Sequence, residues 1–344
     1  MPLRQRPRTL PATAAATTSA VTPNLFGSAF GMAGLALAWE AATPGLGLPR
    51  WPTDLLWLLA AGVYAGTLVA YVVDVVRRRR LRADLDSPVL GPFTSLAAIP
   101  AIMLGGALAD HAETAGTAIA LAAIAVTVGL GGWLTGGWIL RPAELAQWHP
   151  GYFLPTVAGG LVASAVCAQL GMEPLGRLLL GYGVVCWLVL GSILLLRLFT
   201  QPALPSALLP TMAIEVAPPF VASNAWFALN GARSDAVALG LAGYGVLMAL
   251  VQVRLVAAYR TAPFGPAFWS FSFSYAAVAT TALTWLSLEA PSGQRLWQWL
   301  VLGVLTLGYV ALATRTAVAL RGGTYLPRVP AVPAPRSTAG AGRA

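Results

Sequence analysis

The sequence contains no lysine, and charged residues of any kind make up only 10% of its 344 positions, against about 25% in an average soluble domain. A soluble core of this size cannot cover its surface with so little charge. The scarcity excludes a water-soluble globular protein and, with it, any soluble face that could form a nucleic-acid groove. Reactive side chains are as rare. Only two cysteines, Cys167 and Cys186, are present, both inside apolar runs, where a thiol behaves as a small hydrophobe. The two histidines, His111 and His149, fall in different loops on opposite expected sides, which excludes a zinc site. No Ser/His/Asp set, paired carboxylates or phosphate loop is present, so neither an enzyme nor a cofactor is expected.

What is abundant is apolar sequence. Hydrophobic residues make up 57% and mean hydropathy is +0.72. A helix needs about 20 apolar residues to cross about 30 Å of hydrocarbon. Ten such runs fit, at about 24–42, 54–76, 89–109, 114–139, 151–171, 174–198, 207–229, 234–258, 266–288 and 294–320. The expected organisation is a disordered tail over 1–22, a membrane domain over 23–322 and a second disordered tail over 323–344. Both tails are too poor in apolar residues to order themselves.

All 21 basic residues are arginine, and they divide unevenly across the runs. Seventeen fall on one side; Arg50, Arg177, Arg233 and Arg295 fall on the other. Such an excess marks the cytoplasmic face, placing both termini inside a cell membrane. Arg141, Arg197 and Arg254, near the same helix ends, read as anchors snorkelling to the interface. The run Arg77 to Arg82 is the strongest anchor, with an anionic-lipid site as its functional alternative.

A repeat underlies the runs. Each odd run is entered through a proline, Pro23, Pro88, Pro150, Pro210 and Pro266, at intervals of 65, 62, 60 and 56 residues. One period is a helical hairpin, repeated five times. Prolines well inside a run, Pro100, Pro155 and Pro218-Pro219, occur only in odd runs. A proline frees a backbone carbonyl that in lipid must face protein or water. The odd helices are therefore expected inside, as kinked helices around a polar or wet path, and the even ones outside. Gly27 and Gly31 form a small-xxx-small pair in the first run, and Gly132 and Gly136 another in the fourth.

Glu215 is the one acid deep inside a run. Intramembrane carboxylates default to functional candidates; proton coupling, a vestibule charge and a structural carboxyl bonded to proline-freed backbone all remain open. Phe273 lies seven residues past Pro266, about 10 Å into the membrane. There a ring either packs between helices or plugs a narrow pore.

The stretch Phe26-Gly27-Ser28-Ala29-Phe30-Gly31-Met32-Ala33-Gly34 resembles the first span of the tellurite-resistance/dicarboxylate transporter family, which includes bacterial TehA proteins and plant slow-type anion channels. Further matches follow in order: Ser87-Pro88-Val89 with Ile99-Pro100, His149-Pro150-Gly151-Tyr152-Phe153-Leu154-Pro155, Pro210-Thr211-Met212 with Ala217-Pro218, Gly243-Tyr244-Gly245, and Trp269-Ser270-Phe271-Ser272-Phe273. The resemblance implies an all-α membrane fold, with ten transmembrane helices as five hairpins in quasi-fivefold arrangement around a central pore. It implies a homotrimer with a pore in each protomer, passing small inorganic or carboxylate anions. A phenylalanine would gate that pore, here Phe273, with Pro100, Pro155 and Pro218 as pore-helix kinks. Gly27, Gly31, Phe153, Glu215 and Phe220 are the pore-lining candidates. A proton-coupled dicarboxylate carrier or oxyanion exporter is the alternative. Two positions depart from the family pattern: Ala29 replaces a kinking proline, and Ser274 replaces the glycine after the gate.

Overall fold

The computed structural model describes residues 17–330; the remainder of the two expected tails, 1–16 and 331–344, lies outside the described residues. Ten helices are long and apolar enough to cross a membrane among the described residues. They are α1 (Pro23–Leu46), α2 (Trp51–Arg78), α3 (Gly91–Ala109), α4 (Glu113–Leu140), α5 (Pro150–Gln169), α6 (Glu173–Thr200), α7 (Ser206–Asn230), α8 (Ala236–Tyr259), α9 (Pro266–Glu289) and α10 (Gln294–Arg321). A short helix, Leu81–Asp86, follows α2. Strands β1 (Thr17–Ser19) and β2 (Arg328–Pro330) pair antiparallel and bring the two ends of the described chain together.

The odd and even helices differ as the proline pattern predicts. The odd helices are between 50% and 83% buried, the even ones between 11% and 33%. The odd helices touch one another in a closed cycle, α1 to α3 to α5 to α7 to α9 and back to α1, and each even helix packs behind the odd helix before it. Outer helices present large apolar side chains such as Leu58, Trp133, Phe199 and Val253 away from the protein, as lipid-facing surfaces require.

The hairpin partners approach closely where both carry glycine. A Cβ on Gly160 of α5 would lie 3.0 Å from the Cα of Gly183 on α6. Small residues permit this backbone contact, the main source of helix attraction in lipid. Gly132 and Gly136, by contrast, have open space where a Cβ would stand and pack no helix.

Every odd helix begins with a tighter 3₁₀ segment before becoming α-helical: Pro23–Phe26, Gly91–Ala97, Pro150–Phe153, Ser206–Val216 and Pro266–Trp269. In α5 a π-helical turn, Leu154–Ala158, follows. Pro100, Pro155 and Pro218 therefore stand at the first turn of a new segment, not in the interior of an α-helix. A proline at such a start loses no bond, because its missing N–H has no partner there. The carbonyls left over must still be satisfied away from water. Hydroxyls three residues on do this: Thr94 to Gly91 O (2.6 Å), Ser95 to Pro92 O (2.9 Å), Thr211 to Leu208 O (2.6 Å) and Ser272 to Trp269 O (2.6 Å). Outer helices add Tyr64 Oη to Ala97 O (2.7 Å) and Gln252 Nε2 to Met212 O (3.1 Å).

Candidate functional site

The five 3₁₀ starts converge on a central cavity lined from all five odd helices. Asn24 and Gly27 come from α1, Phe93 from α3, Phe153 from α5, Pro218 from α7 and Ser270 from α9. Among the described residues, no ionisable side chain lines it. A second cavity, of about 1130 Å³, is lined by the opposite halves of the same helices, including Gly34, Met103, Val166, Asn224 and Thr280. Phe273 and Val221 line both cavities. They form the partition between the two.

Phe273 is buried, at 8% exposure. Its ring stacks on Phe30 of α1, with centroids 3.6 Å apart and planes 17° from parallel. One turn along α1, Gly34 leaves the space the ring occupies: a Cβ there would lie 3.1 Å from Phe273 Cδ2. The ring is thus held by stacking on one side and a glycine gap on the other. A phenyl ring makes no side-chain hydrogen bond, so packing alone holds it in place. Ser274 lines the first cavity. Phe271 points elsewhere, packing edge-on to Tyr259 (4.8 Å) and stacking on Tyr275 (5.9 Å) on the outer side of α9.

Three of the pore-lining candidates are corrected. Gly31 meets Ser272 of α9 where its Cβ would stand, so it is a helix-packing position. The Phe220 ring presses on Gly245 of α8, 2.7 Å from a Cβ there, and faces outward. Glu215 is buried and lines neither cavity. Its electrostatic neighbours are Tyr244 and Tyr259, and among the described residues its Oε1 has no hydrogen-bond partner. A vestibule charge is therefore not what Glu215 is. Gly27, Phe153 and Pro218 do line the first cavity. Phe30, Phe93 and Val221 were not singled out from the sequence. Phe30 carried a signal, as part of the stretch that resembles the family's first span; a lone valine carried none.

Arg197 is also corrected. It does not snorkel: it is 2% exposed, donates from Nη2 to Ala146 O (2.9 Å), and its Nε and Nη1 have no hydrogen-bond partner. Arg141 instead lies in the open and pairs with Asp86 at 2.8 Å. That pair holds the Asp86 carboxyl below the usual carboxylate range.

His149 supports the cavity wall from outside the spans. Its Nδ1 accepts from Gly151 N–H (3.2 Å), so Nε2 carries the proton and donates to Val89 O (3.1 Å). The ring stacks on Phe93, with centroids 5.4 Å apart. Burial pushes its pKa down to about 4, so the imidazole is neutral at pH 7. An unfolded histidine takes up a proton near 6.5. The contribution of neutral His149 is therefore complete above pH 6.5 and is lost as pH falls towards 4. Thermal midpoints of the wild type and His149→Gln should differ by an amount that shrinks steadily between those values. A constant difference would remove this role.

A sequence model described as voltage-dependent anion channel matches residues 20–317. The chain is 29% identical over 266 residues to a protein described as a tellurite resistance protein TehA homolog from Haemophilus influenzae, covering 75% of this chain and 79% of that one. It is 22% identical over 307 residues to the S-type anion channel SLAH3 of Arabidopsis thaliana, covering 85% of this chain and 47% of the plant protein.

Proposed function

The chain belongs to the voltage-dependent anion channel family, and from that premise we propose that it is a passive channel for small monovalent anions, with a path through the odd helices of each protomer and Phe273 as the gate. The observation that carries this reading is the position of Phe273 in the partition shared by two cavities. With no ionisable group lining the first cavity, selectivity falls to width and dehydration. Among small monovalent anions, such a path favours the larger, more easily dehydrated ones. The proposed setting is a cell membrane with both termini cytoplasmic, in keeping with the arginine excess. The proposed assembly is a homotrimer, as the resemblance implies.

A second reading, a proton-coupled carrier of carboxylates or oxyanions, draws on one observation: the buried Glu215 carboxyl with an unpartnered Oε1. Buried polar groups normally find partners. Reconstituted current measurements under a pH gradient separate the two. For a channel, the reversal potential follows the anion gradient alone, and Glu215→Gln leaves it unchanged. A reversal potential that moves with the pH gradient, and ceases to move in Glu215→Gln, would overturn the channel in favour of the carrier.

A further inference from the structure

We propose that the groove between α9 and α10 is a binding site for one anionic phospholipid of the arginine-rich leaflet. At 50%, α9 is the least covered of the odd helices. Its outer face forms one wall of an apolar groove with about 1520 Å³ of empty space. Phe271 and Tyr275 stand on the α9 side, and Val304, Gly308 and Leu312 on the α10 side. Phe264 and Arg315 mark one end of the groove. The Arg315 guanidinium lies 4.6 Å over the Phe264 ring.

Among the described residues, the charge around that end has no counter-charge. Arg254, Arg260, Arg315 and Arg321 are exposed, and no Asp or Glu occurs in 236–288 or 290–344. Among the described residues no carboxylate pairs with any of them. The first half of the molecule behaves differently. Arg80 pairs with Asp74 and Asp84, and Arg82 and Arg141 pair with Asp86. The run Arg77 to Arg82, an alternative lipid site by sequence, has thus partly matched its charge internally.

Position completes the fit. The 28 residues of α10 span about 42 Å, against about 30 Å of hydrocarbon, so its ends project into the headgroup region. Arg315 precedes the end at Arg321 by about 9 Å of helix, so its backbone lies about 3 Å inside the hydrocarbon edge and its long side chain snorkels the guanidinium up to the phosphates. A phospholipid supplies both features the groove selects: acyl chains for the apolar walls and a phosphate for Arg315.

The test is native mass spectrometry of the full-length purified protein, titrated with phosphatidylglycerol or with phosphatidylcholine of the same acyl chains. Wild type should retain phosphatidylglycerol over phosphatidylcholine by about fivefold, the equivalent of about 1 kcal/mol for one interfacial arginine. Arg315→Gln should abolish the preference and leave phosphatidylcholine retention intact. Gly308→Phe should lower retention of both lipids; nothing lies within 4 Å of a Cβ at Gly308, so the ring fills the groove without a clash. Equal retention of the two lipids by wild type, or an unchanged preference in Arg315→Gln, would overturn the proposal. So would a change of oligomer size in Gly308→Phe with lipid retention unaffected, which would assign the groove to a second copy.

Discussion

Phe273→Ala should raise anion conductance at least tenfold at matched expression, while Phe271→Ala should not. A gate whose displacement costs only about 1.4 kcal/mol already holds a rate down tenfold. The two rings are separated by one residue, yet they serve different surfaces. Phe273 stands between two cavities; Phe271 packs against Tyr259 and Tyr275 on the far side of α9. Truncating a fully buried phenylalanine costs about 3–5 kcal/mol. Both variants should fall below that range: Phe271 is half-buried on the groove wall, and water can enter the space Phe273 leaves. Phe30→Ala removes the ring that Phe273 stacks on and should raise conductance by a smaller amount. Equal conductance in Phe273→Ala and Phe271→Ala would make Phe273 a packing residue.

A large effect on folding is expected at Gly160. Its Cβ would meet Gly183 Cα at 3.0 Å and Gly183 N at 3.1 Å. These are backbone atoms, which cannot turn aside as a side-chain tip can. Gly160→Val should force α5 and α6 apart and cost about 3 kcal/mol, the upper part of the usual range for overpacking. Gly132→Val is the control, since no atom lies within 4 Å of a Cβ there. Thermal unfolding in one detergent checks both. A similar loss at the two glycines would show that the α5–α6 contact is not the cause.

Much of this was legible before any coordinate. Hydropathy gave all ten spans to within four residues at each end, because lipid imposes one length on every helix. The proline positions separated inner from outer helices, because freed backbone must avoid lipid. The backbone form was not legible: Pro100, Pro155 and Pro218 were expected to kink helices and instead open new segments after 3₁₀ turns. Which way a side chain points was also hidden. Gly31, Glu215 and Phe220 are in inner helices but face away from the axis, since at 3.6 residues per turn an inner helix has more than one buried side. Arg197 looked like an anchor by position alone; burial against Ala146 is a tertiary fact.

Cysteine accessibility reports whether a path runs through the odd helices and whether Phe273 closes it. In a background carrying Cys167→Ala and Cys186→Ala, Ser270→Cys places a thiol in the first cavity and Thr280→Cys one in the second. A small anionic thiol reagent should label the first only from the arginine-rich side and the second only from the other. Adding Phe273→Ala should make both thiols react from either side. Labelling of Ser270→Cys from both sides with Phe273 intact, or from one side only after Phe273→Ala, would contradict the account.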